Sequence, residues 1–182
     1  MRGVSPGTRR DFIYVGAATV GTIGAALAVW PFLDQMNPDA STLAMTASEV
    51  DVSGVPAGGS ITVKWRGRPV FIRHRTEHEI ELARAVAVGA LLDPLARNAD
   101  LPEDAPGTDE NRASRAEWLF TVGICTHLGC VPLGYQGEYG GYFCPCHGSL
   151  YDTAGRVRRG PAPENLHVPP TQWMSQTQIR IG

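Results

Sequence analysis

Two short boxes hold every cysteine in the chain. Cys125-Thr126-His127-Leu128-Gly129-Cys130 and Cys144-Pro145-Cys146-His147-Gly148-Ser149 each carry two cysteines and one histidine, within a sequence of 182 residues. Cysteines concentrated in so short a window serve one local site rather than stapling a whole domain. Thiolate sulfur and imidazole nitrogen together suit either a mononuclear zinc ion or an iron-sulfur cluster. Zinc fingers and ribbons usually pair their ligands as Cys-x-x-Cys or His-x-x-x-His, whereas Cys-x-His followed by Cys-x-x-His follows neither pattern. Two ordinary disulfides would use all four thiols and leave the paired histidines without a purpose.

The sequence around the boxes reads as mostly β, with 21 glycines and 14 prolines that favour strands, turns and shaped loops over a helical bundle. Glu49 to Ser53, Ser60 to Trp65 and Pro69 to Arg75 alternate or cluster β-branched residues between turn residues, so antiparallel strands are expected there. A further strand is expected near Glu117, and a closing one over Gln176 to Ile181. Thr76 followed by Glu79 has capping-box form, and Ile80, Ala83 and Ala87 recur at helical spacing, which predicts one helix. Asn98 to Ser114 is polar and proline-bearing and reads as a surface loop. His74 and His78 straddle a strand end and are not expected to act as ligands; His167 is expected to be solvated or structural. A formal net charge of −2 gives no basic footprint, which argues against a nucleic-acid partner.

The N-terminus carries an address and an anchor. Phe12 to Leu33 holds no charged residue, and at about 1.5 Å per residue such a run is long enough to cross a hydrocarbon core of about 30 Å as a helix. Arg2, Arg9 and Arg10 precede it and Asp34 and Asp39 follow, so the positive-inside rule places the N-terminus in the cytoplasm and the remainder outside. Thr8-Arg9-Arg10-Asp11-Phe12-Ile13 resembles a twin-arginine export signal, used by proteins that fold around a cofactor before crossing. Ala26-Leu27-Ala28 has the small-x-small form of a cleavage site. Against cleavage, the apolar run continues through Val29 and Phe32, with Trp30 placed as an interfacial anchor. Ala17, Gly21 and Ala25 fall on one helix face and would let another membrane helix approach closely.

Both boxes match the signature of the Rieske iron-sulfur family, and with the anchor the chain resembles its bacterial cytochrome bc branch along essentially its whole length. The resemblance implies an antiparallel β-sandwich head holding one Rieske-type 2Fe-2S cluster. Cys125 and Cys144 would bind one iron, and His127 and His147 the other. It implies a disulfide between Cys130 and Cys146 that ties the two cluster loops together, as suits an oxidising compartment. Ser149 and Tyr151 stand where family hydroxyls donate to a bridging sulfide and to a ligand sulfur, which raises the reduction potential. Gly160-Pro161-Ala162-Pro163 resembles the stiff proline-rich loop that covers the cluster.

The resemblance further implies electron transfer from a membrane quinol, with ubiquinol favoured, to a c-type cytochrome. His147, His127 and Leu128 would face the quinol pocket of a cytochrome b subunit, with protons released outside the cytoplasm. The implied setting is a dimeric complex in the bacterial inner membrane. The expected organisation is a cytoplasmic N-terminus over 1–11, a membrane helix over 12–36 and a flexible tether over 37–48. A head follows over 49–182, with its cluster-binding part at about 123–153. Three alternatives stand beside this: the plastocyanin-reducing photosynthetic subunit, the small subunit of an arsenite-oxidase type complex, and a zinc-binding interaction module.

Overall fold

The computed structural model describes residues 7–38 and 47–182 and divides into two compact units, an N-terminal helix and a β-rich head. The expected tether lies mostly in 39–46, outside the described residues.

Helix α1 spans Arg9–Asp34 and starts inside the twin-arginine motif. Thr8 caps it: its hydroxyl accepts from Asp11 N at 3.3 Å, and its own N–H donates back to the Asp11 carboxylate at 2.8 Å. This reciprocal pairing satisfies backbone donors that a helix start leaves free. Pro31 sits in the last turn, and Gln35 N reaches its carbonyl at 3.0 Å, so the helix closes normally beyond it. Large apolar side chains such as Phe12, Leu27, Trp30 and Phe32 are exposed along α1, and by length and composition it is able to cross a membrane.

The head is built from three antiparallel sheets. Its strands are β1 (Ser48–Asp51), β2 (Ser60–Trp65), β3 (Arg68–His74), β4 (Trp118–Val122), β5 (Leu133–Gly134), β6 (Gly140–Cys144), β7 (Ser149–Asp152), β8 (Val157–Arg159), β9 (Thr171–Trp173) and β10 (Gln178–Ile181). They form the sheets β1-β10-β9, β2-β3-β4 and β5-β6-β7-β8. A two-residue turn, Arg66-Gly67, joins β2 to β3 with both residues at positive φ, the twist that matches paired strands.

The middle sheet is covered on both faces, which explains its sequence. Val70, Ile72, Trp118, Phe120 and Val122 point to a core shared with Ile179 and Ile181 of β10. Phe71 and Leu119, from the intervening positions, pack instead with Tyr142, Tyr151, Val157 and Leu166 beside the cysteine boxes. The strand Trp-Leu-Phe-Thr-Val is therefore buried at every residue, as a run with an apolar layer on each side should be. Each fully buried side chain of this kind contributes about 1.5–3 kcal/mol.

Helix α2 (Glu77–Arg84) has the expected capping box, with Thr76 N donating to Glu79 Oε2 at 2.8 Å. It ends before Ala87, which lies exposed beyond it, so only Ile80 and Ala83 form its buried stripe. The Asn98 to Ser114 segment also departs from expectation. It includes a short helix, α3 (Asp109–Arg112), whose Asp109 and Arg112 are buried. Arg112 donates to the carbonyls of Ala154, Leu166, Ala96 and Gly155. Burial lowers its pKa to about 10, so at neutral pH it enters the interior charged, with each of its three nitrogens hydrogen-bonded. Arg75 pairs with Asp109 at 2.5 Å, and Arg156 with Asp152 at 2.8 Å. A segment that reads as surface loop is thus fastened against the sheet carrying the second box.

Candidate metal centre

The two boxes fold into matching loops. Gly129 N donates to Cys125 O at 3.0 Å and Gly148 N to Cys144 O at 3.0 Å, each closing a turn five residues long. Both glycines have positive φ, 81° and 78°, where a side chain would be strained. The first loop leaves β4, and the second links β6 to β7. The site sheet runs on to Arg159, past the expected limit of 153.

Cys125 and Cys144 are buried and unbridged, while Cys130 and Cys146 are joined as a disulfide. The rings of His127 and His147 stand edge to face with centroids 4.7 Å apart. His127 is half-buried, and its Nδ1 is buried with no hydrogen-bond partner in the protein. An imidazole nitrogen so placed carries a desolvation cost that a bound metal would remove. His147 and Leu128 are exposed, Leu128 to 70 %.

Donors converge on the two free sulfurs. Burial raises the Cys125 pKa, but the Tyr151 hydroxyl, the His127 N–H, Cys144 and Ser149 lower it further, and the net value lies below that of an ordinary cysteine. Tyr151 Oη lies 3.3 Å from Cys125 Sγ. Burial leaves the Cys144 pKa raised, even though the N–H groups of Cys146 and His147 point at its sulfur. Burial also pushes the Tyr151 hydroxyl well up, followed by its hydrogen bond to the Cys125 sulfur, so it remains protonated and able to donate.

Gly160-Pro161-Ala162-Pro163 closes one side of the site. Ala162 is buried and donates its N–H to Ser149 Oγ at 3.2 Å. A Cβ on Gly160 would stand 2.5 Å from Ser149 Cα, so only glycine lets this wall approach so closely. A residue not singled out from sequence, Thr126, ties the first loop to the wall: its hydroxyl donates to Glu164 O at 2.7 Å. Its place between Cys125 and His127 was the available signal. His74, by contrast, stacks on Trp118 with centroids 4.2 Å apart and places Nδ1 2.7 Å from Val55 O. His167 pairs with Glu164 at 3.1 Å. Neither joins the site.

Two soft sulfurs, two imidazoles and inward-facing donors fit a 2Fe-2S cluster. The model of the Rieske [2Fe-2S] domain matches residues 109–170, and the site defines the chain as a Rieske protein with one Rieske-type cluster. A second model, described as ubiquitinol-cytochrome C reductase Fe-S subunit TAT signal, matches residues 4–39. The ubiquinol-cytochrome c reductase iron-sulfur subunit of Rhodospirillum rubrum is 53% identical over 180 residues, covering 96% of this chain and 92% of its own length. That of Cereibacter sphaeroides is 52% identical, covering 97% and 96%. A solved chain from a hyperthermophilic respiratory Complex III superposes with TM-score 0.51 at 25% identity, covering 92% of this chain and 98% of its own. The chain belongs to the family of ubiquinol-cytochrome c reductase iron-sulfur subunits. It is an electron-transfer subunit of that oxidoreductase, and α1 with the matched export signal fits a membrane-anchored bacterial protein.

Proposed function

We propose that Cys125 and Cys144 hold one iron of the cluster and His127 and His147 the other, and that the chain passes electrons from ubiquinol to a c-type cytochrome. The observation that carries this reading is a pair of buried free thiols, hydrogen-bonded to each other, on the same two loops whose histidine rings meet edge to face, one imidazole nitrogen being buried without a protein partner. When bound, the cluster supplies one-electron redox chemistry, at a potential raised by replacing two thiolates with neutral imidazoles.

The protein's own groups would do the rest. His147 and Leu128 are both exposed; His147 would meet a quinol hydroxyl and hold its proton, while Leu128 would offer an apolar contact to a cytochrome b subunit. Tyr151 and Ser149 stabilise negative charge on sulfur. The disulfide and the wall at Gly160 to Pro163 hold the loops and limit water. With Arg9 and Arg10 on the cytoplasmic side, the head would lie in the periplasm and protons would leave on that side, within a dimeric complex. The proposed organisation keeps 1–11 as cytoplasmic signal, 12–36 as membrane helix, 37–48 as tether, with its last residue Ser48 already paired in β1, and 49–182 as head.

Single replacements test the ligand set. Cys125→Ser, Cys144→Ser, His127→Ala and His147→Ala should each abolish the reduced-state EPR signal and the iron content, while His74→Ala and His167→Ala should retain both. A full signal from any of the four ligand variants would sink the assignment.

A further inference from the structure

The disulfide does not stand apart from the site it braces. The sulfurs of Cys130, Cys144 and Cys146 all lie within 4.8 Å of one another. Two of them form the bridge and the third is a free thiol. That is the reacting set of thiol-disulfide exchange, in which a thiolate attacks one sulfur of a disulfide and the other departs as a thiolate. We propose that Cys144 and the Cys130–Cys146 bridge form an exchange site, and that bound cluster is what keeps the native pairing in place. This rests on reading Cys144 as a cluster ligand.

The direction of attack follows from the chain. Bonding Cys144 to Cys146 would close a ring across Pro145 alone, whose fixed φ resists the required fold. Bonding Cys144 to Cys130 joins the two loops, as the native bridge does. In this step the Cys144–Cys130 bond forms, the Cys130–Cys146 bond breaks, and Cys146 leaves as a thiolate that takes up the proton Cys144 gave to solvent. No electron enters or leaves the protein, so no oxidant is needed. Cys146 is exposed, so the departing group is solvated, whereas Cys144 is buried.

The product has one proposed ligand locked in a disulfide and one free thiol at the surface. It cannot take up the cluster through Cys144. A chain bridged without cluster is therefore open to this exchange, and a protein that loses its cluster after bridging becomes refractory to reloading until a thiol reductant is supplied. An export signal suited to folded, cofactor-loaded proteins at residues 4–39 agrees with loading ahead of bridging.

The full-length loaded protein in detergent, stripped of iron by a chelator under anaerobic conditions without reductant, tests this directly. Samples taken before stripping are alkylated natively with the cluster in place, those taken after it are alkylated under denaturing conditions, and both are then cleaved at glutamate. Cutting at Glu138 separates Cys125 and Cys130 from Cys144 and Cys146, and fragmentation at Pro145 then distinguishes the latter pair. Before stripping, no cysteine should be labelled. Afterwards, label should accumulate on Cys125 and Cys146 with Cys130 linked to Cys144, and reloading with iron and sulfide should fall several-fold unless a dithiol is added first. Label that stays on Cys125 and Cys144 overturns the proposal, as does a bridge through Cys125. Label on Cys144 before stripping removes the ligand reading itself, and the proposal with it.

Discussion

On the proposed ligand set, the residues that would tune this site act through hydrogen bonds to sulfur, and Tyr151 offers the cleanest case. Its ring is fully buried and its hydroxyl lies 3.3 Å from Cys125 Sγ. A donor there stabilises the more negative, reduced cluster and raises its potential. Tyr151→Phe keeps the packing and removes only the donor. With about 1 kcal/mol lost from the reduced state, and tenfold equal to about 1.4 kcal/mol or 59 mV for one electron, the midpoint should fall by about 40 mV. Voltammetry of a variant that keeps its EPR signal measures this, and an unchanged midpoint would deny the hydroxyl any tuning role. Ser149→Ala is a less direct probe, because Ser149 Oγ also accepts from Ala162 N and the wall would lose a contact. The boxes stood out in the sequence because donor types and spacing are local properties. The tie from Thr126 to Glu164, across 38 positions, was not legible, since nothing local marks its partner.

Among the elements, legibility followed the number of faces each one buries. Strand β10 buries Ile179 and Ile181 and exposes Gln178 and Arg180, so its period of two was plain. The Thr76 and Glu79 cap likewise placed the start of α2. Strands β5 to β9 have two to five residues each, and the register shifts at Gly140/Tyr142 and Leu150/Tyr151 interrupt the alternation on which a sequence reading depends. The polar segment before β4 misled for a different reason: its buried charges find partners far away in sequence, Asp109 in the Arg75 guanidinium and Arg112 in backbone carbonyls. Asp93 belongs to the same fastening, accepting from Asn165 N at 2.9 Å, Arg97 Nε at 2.9 Å and Leu95 N at 3.2 Å. Burial raises its pKa, but Arg97 and the two backbone donors more than offset this and hold it below the usual carboxylate range. A carboxyl depressed on folding stabilises the fold above its unfolded pKa of about 3.9, and that contribution disappears as pH falls through the lower folded value. Asp93→Asn should therefore cost about 1–3 kcal/mol at neutral pH, with the difference from the parent shrinking below about pH 4. Denaturant midpoints across that range measure it, and a constant difference would remove ionisation as the cause.

At the scale of the whole molecule, the proposed function needs an anchor that stays and a head that reaches two partners. Helix α1 has 26 residues, about 39 Å at 1.5 Å per residue, enough to span a core of about 30 Å. Cleavage after Ala28 would leave too little to hold, so mass spectrometry of the membrane-extracted protein should find the segment attached; a mature start at Val29 would refute the anchor. On the proposed organisation, the tether over 37–48 would set how far the head can travel. At about 3.3 Å per residue, ten residues reach roughly 30 Å, whereas on the proposed function electrons would be collected at a quinol site and delivered to a separate cytochrome. Deleting several residues within 39–46 should leave the EPR spectrum and reduction by quinol unchanged but lower quinol-to-cytochrome turnover at least tenfold, because only reach is altered. An insertion of equal length rich in Gly and Ser should cost little, since closure entropy grows slowly with length. Stopped-flow measurement of cluster reduction and of cytochrome reduction in the same preparation separates the two steps. Parental rates for both in the deletion variant would mean that the head delivers its electron without moving.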